Sequence, residues 1–154
     1  PRNMLINFPH VLNEVNVAAV VCEMTLASAR DTIRILSWLK TNAGHVTPLV
    51  IANRVQPGTA EISKADFEAS IERKIDVSIP LDQKAASAAA KLGKTVIDAS
   101  GSSKMSAGIK QAASQIIGLG ETDSEDVEAS DGKKSLLGGF DLKGLMTKKE
   151  KVPA

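Results

Sequence analysis

Six consecutive apolar residues, "VAAVVC" at 17–22, stand between polar positions on either side. That pattern predicts a strand buried on both faces, as in a parallel sheet. Behind it the period lengthens. Leu26, Ala29, Ile33 and Leu36 recur at helical spacing after Thr25, a residue suited to the N-cap, and Gly44 marks the stop. A second apolar run, in "PLVIANRV" at 48–55, follows Pro48, breaks off at Asn53-Arg54 and leads into a Pro57-Gly58 turn. Ser63 with Asp66 has the form of a capping box for a short helix carrying Phe67 and Ile71. Ile75, Val77 and Ile79 alternate as a strand. Asp82 predicts the cap of an alanine-rich helix, 83–92, closed by Gly93, and "TVID" at 95–98 predicts a brief strand. Ser102 or Ser103 then opens a last helix in which Met105, Ile109, Ala112 and Ile116 form one apolar stripe.

Strands alternating with helices predict an α/β fold, doubly wound around a mainly parallel sheet. Ligands of such sheets bind beyond the carboxyl ends of the strands, and Asn53-Arg54 lies at one of those ends. An amide and a guanidinium there either shape the local turn or meet something from outside. From about residue 121 the composition changes. The stretch "ETDSEDVEASDGKK", 121–134, has nothing to bury and reads as a disordered acidic linker behind a domain over 1–120. Residues 135–154 read as a flexible tail in which apolar residues return among lysines.

Composition narrows the function classes. The chain of 154 residues suits one domain. A net charge of +1 provides no field for nucleic acid, and 3% aromatics provide no stacking platform for bases, so no nucleic-acid partner is expected. One cysteine, Cys22, lies in an apolar run; it is expected in the core and points to a reducing cytoplasm. No apolar stretch approaches the roughly 20 residues that span a bilayer, and no signal peptide is visible. The start at Pro1-Arg2, without Met, predicts that the natural N-terminus lies elsewhere. His10 and His45 have no ligating residues at metal spacing, so no metal site is expected in this chain. No catalytic triad is legible, and no catalytic residue is assigned. Gly93-Lys94-Thr95 has the letters of a phosphate loop but follows a helix. Such a loop must run from strand to helix for its N–H groups to face the anion.

Three segments in order resemble one family. "VVCEMTLASARDTIRILSWLK" looks like the strand-loop-helix after the second switch of MinD/ParA-type ATPases, and "TLASARD" looks most like their CpaE/TadZ pilus-assembly branch. "PLVIANRV" resembles the family strand ending in Asn-Arg, and "SIPLDQKAASAAAKLGKTVID" is similar to the family's IP-x-D loop, alanine-rich helix and Gly-Lys turn. The resemblance spans about 17–117 and implies the carboxyl-terminal half of a P-loop NTPase. It also implies that Asn53, with Arg54 beside it, and Pro80, Leu81 and Asp82 lie against the adenine of ATP. A carboxamide offers a donor and an acceptor to the mixed edge of that base, and Pro80 presents a rigid apolar wall. Asp82 is a good helix cap whether or not a nucleotide is present. Glu23, at a strand end, is implied near a dimer partner or else caps the next helix. The phosphate loop and the Mg²⁺ ligands are implied to lie in a preceding portion, so the 154 residues alone are expected not to hydrolyse ATP.

The resemblance implies a homodimeric, nucleotide-dependent assembly and localisation factor of the Flp/Tad pilus, with pilus-assembly or polar-localisation proteins as partners, at a cell pole or the inner face of the inner membrane. A non-catalytic localisation scaffold of the same fold, and a ParA/MinD-type partition or positioning ATPase, remain as alternatives. Leu136, Leu137, Phe140, Leu145 and Met146, ringed by Lys133, Lys134, Lys143, Lys148 and Lys149, suggest peripheral membrane contact through 135–149 or docking in a protein groove.

Overall fold

The computed structural model of the chain describes residues 7–121 except 57 and 59. A short 3₁₀ turn, Pro9–Glu14, leads into β1, Val17–Cys22. Then follow α1, Leu26–Asn42; β2, Thr47–Val55; α2, Lys64–Ile71; and β3, Val77–Pro80. Three helices end the described chain: α3, Gln83–Leu92; α4, Val96–Ala99; and α5, Lys104–Glu121. The strands form one parallel sheet in the order β1-β2-β3. The fold is α/β with helices on both faces of that sheet, as the alternation of periods predicts.

The caps read from the sequence hold in detail. Thr25 accepts a hydrogen bond from the Ser28 N–H, Ser63 from Asp66 and Asp82 from Ala85, each satisfying an otherwise unpaired N–H of a first helical turn. Gly93 ends α3 at φ +60°, a left-handed conformation that costs glycine nothing. Ser103 opens α5 by accepting from the Ser106 N–H.

Both sides of β2 are covered. Val50 and Ala52 pack with Ala29 of α1 and with Phe67 and Ile71 of α2. Leu49 and Ile51 face the other way, with Val77 and Ile79 of β3 and Ala112 of α5. The second layer approaches closely at Gly108, where an added Cβ would stand 3.2 Å from both the Ile79 side chain and the Ser78 carbonyl. Ser106, fully buried, ties the preceding loop to α5 by donating to the Ser100 carbonyl at 2.7 Å.

Three expectations are corrected. Residues 96–99 form a helical turn, not a strand: Thr95 accepts from the Asp98 N–H at 3.2 Å and donates to the Asp98 carboxylate at 2.6 Å. That reciprocal cap outweighs the β preference of Val96-Ile97 in so short a segment. Ile116 leaves the buried stripe of α5 and is 40% exposed, while Leu119 packs on the core. Finally, β1 is buried on one face only. Val20 and Cys22 point into the α1 side, but Ala19 is exposed and Val21 is 61% exposed. Glu121, where the acidic composition begins, is the last residue of α5. The linker 122–134 and the tail 135–154 lie outside the described residues.

Candidate functional site

The carboxyl ends of the three strands carry the residues singled out in the sequence. Ala52 pairs with Ser78 and Val55 with Pro80, so three steps along β2 match two along β3. The extra residue is a β-bulge at Asn53-Arg54, of the kind that re-aims side chains beside functional sites. Arg54 takes φ +56° there, a conformation costing a non-glycine residue about 1–2 kcal/mol. Two contacts oppose that cost. The Arg54 N–H donates to Asn53 Oδ1 at 2.9 Å, and the guanidinium Nη1 meets Glu23 Oε1 at 3.1 Å. With the two side chains 60% and 49% exposed, the ion pair contributes at most about 1 kcal/mol.

The amide and the guanidinium therefore part ways. Arg54 is committed inside the chain, bridging the ends of β1 and β2. Asn53 is only half committed. One lone pair of Oδ1 is used; the other, and the NH₂ group, have no hydrogen-bond partner among the described residues. The bulge also draws in the second segment, since the Leu81 N–H donates to the Val55 carbonyl at 3.1 Å. Asn53, Pro80 and Leu81 are all half-buried at the carboxyl ends of β2 and β3. Asp82 lies beside them but spends Oδ1 on the Ala85 N–H at 2.9 Å.

Two carboxylates complete the neighbourhood. Glu23 serves Arg54 and does not cap α1. Glu61 accepts from the Leu26 N–H at 3.3 Å, placing a negative charge on the first turn of α1. The sequence offered no signal for Glu61, because the contact joins residues 35 apart. Glu23, Glu61, Arg54 and Thr25 border a cavity of about 240 Å³, which none of Asn53, Pro80, Leu81 and Asp82 lines. Cys22, at the end of β1, is buried, and that burial pushes its thiol pKa up to about 11 against a weaker opposing hydrogen bond with Thr32.

Pro80 and Leu81 place apolar surface at the end of β3, and Asn53 keeps amide donor and acceptor capacity at the end of β2. Gly93-Lys94-Thr95 joins α3 to α4, so its N–H groups form the end of one helix and the cap of another. Among the described residues no cluster of His, Cys, Asp or Glu could hold a metal ion, and no helix is long and apolar enough to cross a membrane.

The parallel sheet with helices on both faces is similar to the MinD/ParA-type P-loop NTPase fold. Three solved structures carry the likeness. A ParA family ATPase from Chlorobium tepidum TLS matches with a TM-score of 0.60 and 25% identity over 67% of this chain and 43% of its own. The cell division ATPase MinD of Pyrococcus furiosus matches at 0.57 and 21%, over 68% and 43%. The septum site-determining protein MinD of Pyrococcus horikoshii OT3, complexed with Mg-ADP, matches at 0.58 and 17%, over 71% and 44%. The chain spans less than half the length of these structures. No protein-family model matches it, and no curated protein matches it in sequence.

Proposed function

We propose that this chain supplies the adenine-binding side of an ATP site in a larger ParA/MinD-type ATPase. The half-free carboxamide of Asn53, set by the bulge beside Pro80 and Leu81, carries the reading. The Mg-ADP held by a MinD of the same fold supports it. In this reading Asn53 reads the base edge, Pro80 and Leu81 line its face, Arg54 braces the corner, and Asp82 holds the loop by capping α3. Phosphate and Mg²⁺ are held outside these residues, and the 154-residue chain alone turns over no ATP.

The full protein is a homodimeric positioning factor. Its "TLASARD" segment favours assembly and localisation of a Flp/Tad pilus, in the manner of CpaE/TadZ proteins, at a pole or the inner membrane face. The ParA and MinD neighbours favour partition or positioning in general, which is the second reading. The 135–149 tail provides peripheral membrane contact in either.

Nucleotide titration tests the shared core of both. In the full-length protein Asn53→Ala is expected to weaken ATP binding by about 1–3 kcal/mol, the cost of a base-edge group left unmet, and to narrow the preference for ATP over GTP. Equal ATP and GTP affinities in parent and variant alike would remove Asn53 from base recognition.

A further inference from the structure

At the amino-terminal end of the sheet, opposite the candidate site, the last turns of α1, α2 and α5 gather around Pro48, the second residue of β2. Two hollows lie among them. One, of about 750 Å³, separates α1 from α2. Its lining includes the buried core residues Leu39, Ala43, Val46 and Ile71, and its rim carries Ile33, 39% exposed, with Lys40, Glu72 and Arg73. The other, of about 400 Å³, lies between Arg73 and the end of α5, against Gln115, Gly118 and Leu119. Pro48 and Arg73 line both.

The second hollow holds a pair of polar atoms set apart from the rest. Among the described residues, Arg73 Nε and Gln115 Oε1 are the buried side-chain atoms without a hydrogen-bond partner. Asp76 Oδ2 stands 3.9 Å from Nε, too far to bond it, and already accepts from the Val50 N–H. Buried polar atoms are nearly always paired. One of these is a donor and the other an acceptor, and a polypeptide backbone offers a carbonyl to the first and an N–H to the second.

We propose that this end of the sheet is a docking groove for the chain's own segment after α5. Residues 122–134 cross the hollow beside Arg73 and Gln115, and Leu136, Leu137 and Phe140 seat on the apolar lining between α1 and α2. Position, length and charge favour this occupant. α5 ends at Glu121, two residues beyond Leu119, so the segment starts at the rim of the second hollow. Extended chain from Glu121 to Leu136 reaches about 50 Å, ample for a domain whose radius of gyration is about 13 Å. On the first rim Lys40 and Arg73 outnumber Glu72, and Lys40 has no ion-pair partner among the described residues. The crossing stretch brings Asp123, Glu125, Asp126, Glu128 and Asp131 to them. While seated, the apolar residues of the tail are withheld from any membrane or other protein, so the groove sets when the tail is available. None of this involves the nucleotide end of the sheet.

Hydrogen exchange of the whole 154-residue chain, without vesicles or nucleotide, tests the docking. Amides of 136–142 are expected to exchange about tenfold more slowly than in a free 122–154 peptide, at every protein concentration. Leu137→Asp with Phe140→Asp should abolish that protection and speed exchange in 70–75. Ile33→Asp, on the exposed rim, should abolish it from the other side. Lys40→Glu should reduce it about threefold, the scale of an exposed charge pair, and decides the matter alone if Ile33→Asp fails to fold. Three results would overturn the proposal. Exchange of 136–142 at the free-peptide rate would leave the segment to a membrane or another protein. Protection indifferent to the rim substitutions would place it elsewhere on the surface. Protection lost on dilution would place it on a second copy.

Discussion

β1 and β2 lie side by side in register, and both are apolar runs without a charge in their centres, yet they live in different surroundings. Val50 and Ala52 of β2 are wholly inaccessible and Leu49 and Ile51 nearly so; on β1 every second residue of the latter half meets solvent. Nothing in the two strands' own residues accounts for this. The difference is in the layers: β2 has α1 and α2 on one side and α5 on the other, whereas on β1 the α5 layer reaches Val17 and leaves Ala19 and Val21 bare. Apolar patterning alone therefore does not set a strand's exposure; the layers packed on it do.

Truncation at matched positions is the strongest way to break the comparison. Ile51→Ala, in the layer under α5, is expected to cost about 2–5 kcal/mol by urea denaturation, against a change within about 0.5 kcal/mol for the exposed Val21→Ala in the same chain. Similar costs at the two sites would mean that β1 is covered within the 154 residues. Gly108→Ala probes the α5 layer itself. A methyl group 3.2 Å from Ile79 and from the Ser78 carbonyl forces α5 off β3, an expected loss of about 1–3 kcal/mol. An unchanged denaturation midpoint would show that α5 rides loosely there and could slide over β1.

The smallest effect belongs to the α1–α2 layer and is read against pH. Glu68, a buried carboxylate on α2, receives Lys74 at 2.8 Å and the Ile75 N–H at 3.0 Å. The Lys74 bond first, and then the Ile75 N–H, hold its pKa below the ordinary 4.5 against the opposing pull of burial. A depressed carboxylate contributes stability that is complete above its unfolded value and is lost as pH falls through the folded one. Stability of the parent should therefore decline below about 4.5, with a shallower decline in Glu68→Gln. Parallel pH profiles for the two proteins would remove Glu68 as an anchor of this layer.

Most of the fold was legible because its signals are local. Thr25, Ser63, Asp82, Gly93 and Ser103 each bond within a few residues of themselves, and the periodicity of 26–36 and 83–92 needs no partner to be recognised. The strand expected at 95–98 failed for the same reason in reverse: the local Thr95–Asp98 cap was the stronger signal and β propensity was preferred to it. For the site, the sequence brought Asn53 to a strand end but could not divide its role from that of Arg54. That division depends on Glu23, 31 residues away, and on a one-residue slip between β2 and β3. Long-range contacts such as Glu61 with α1 leave no periodic trace at all.

Cys22, the chain's only thiol, sits at the end of β1 on the face covered by α1, with its Sγ 3.5 Å from the Ile51 carbonyl. Its high pKa keeps it unreactive while that roof is closed, and exposure would return it toward ordinary thiol reactivity. The side chain is consequently a built-in stopwatch. The rate at which a disulfide reagent consumes it at fixed pH counts how often the helical cover over the end of β1 opens, with no label or substitution.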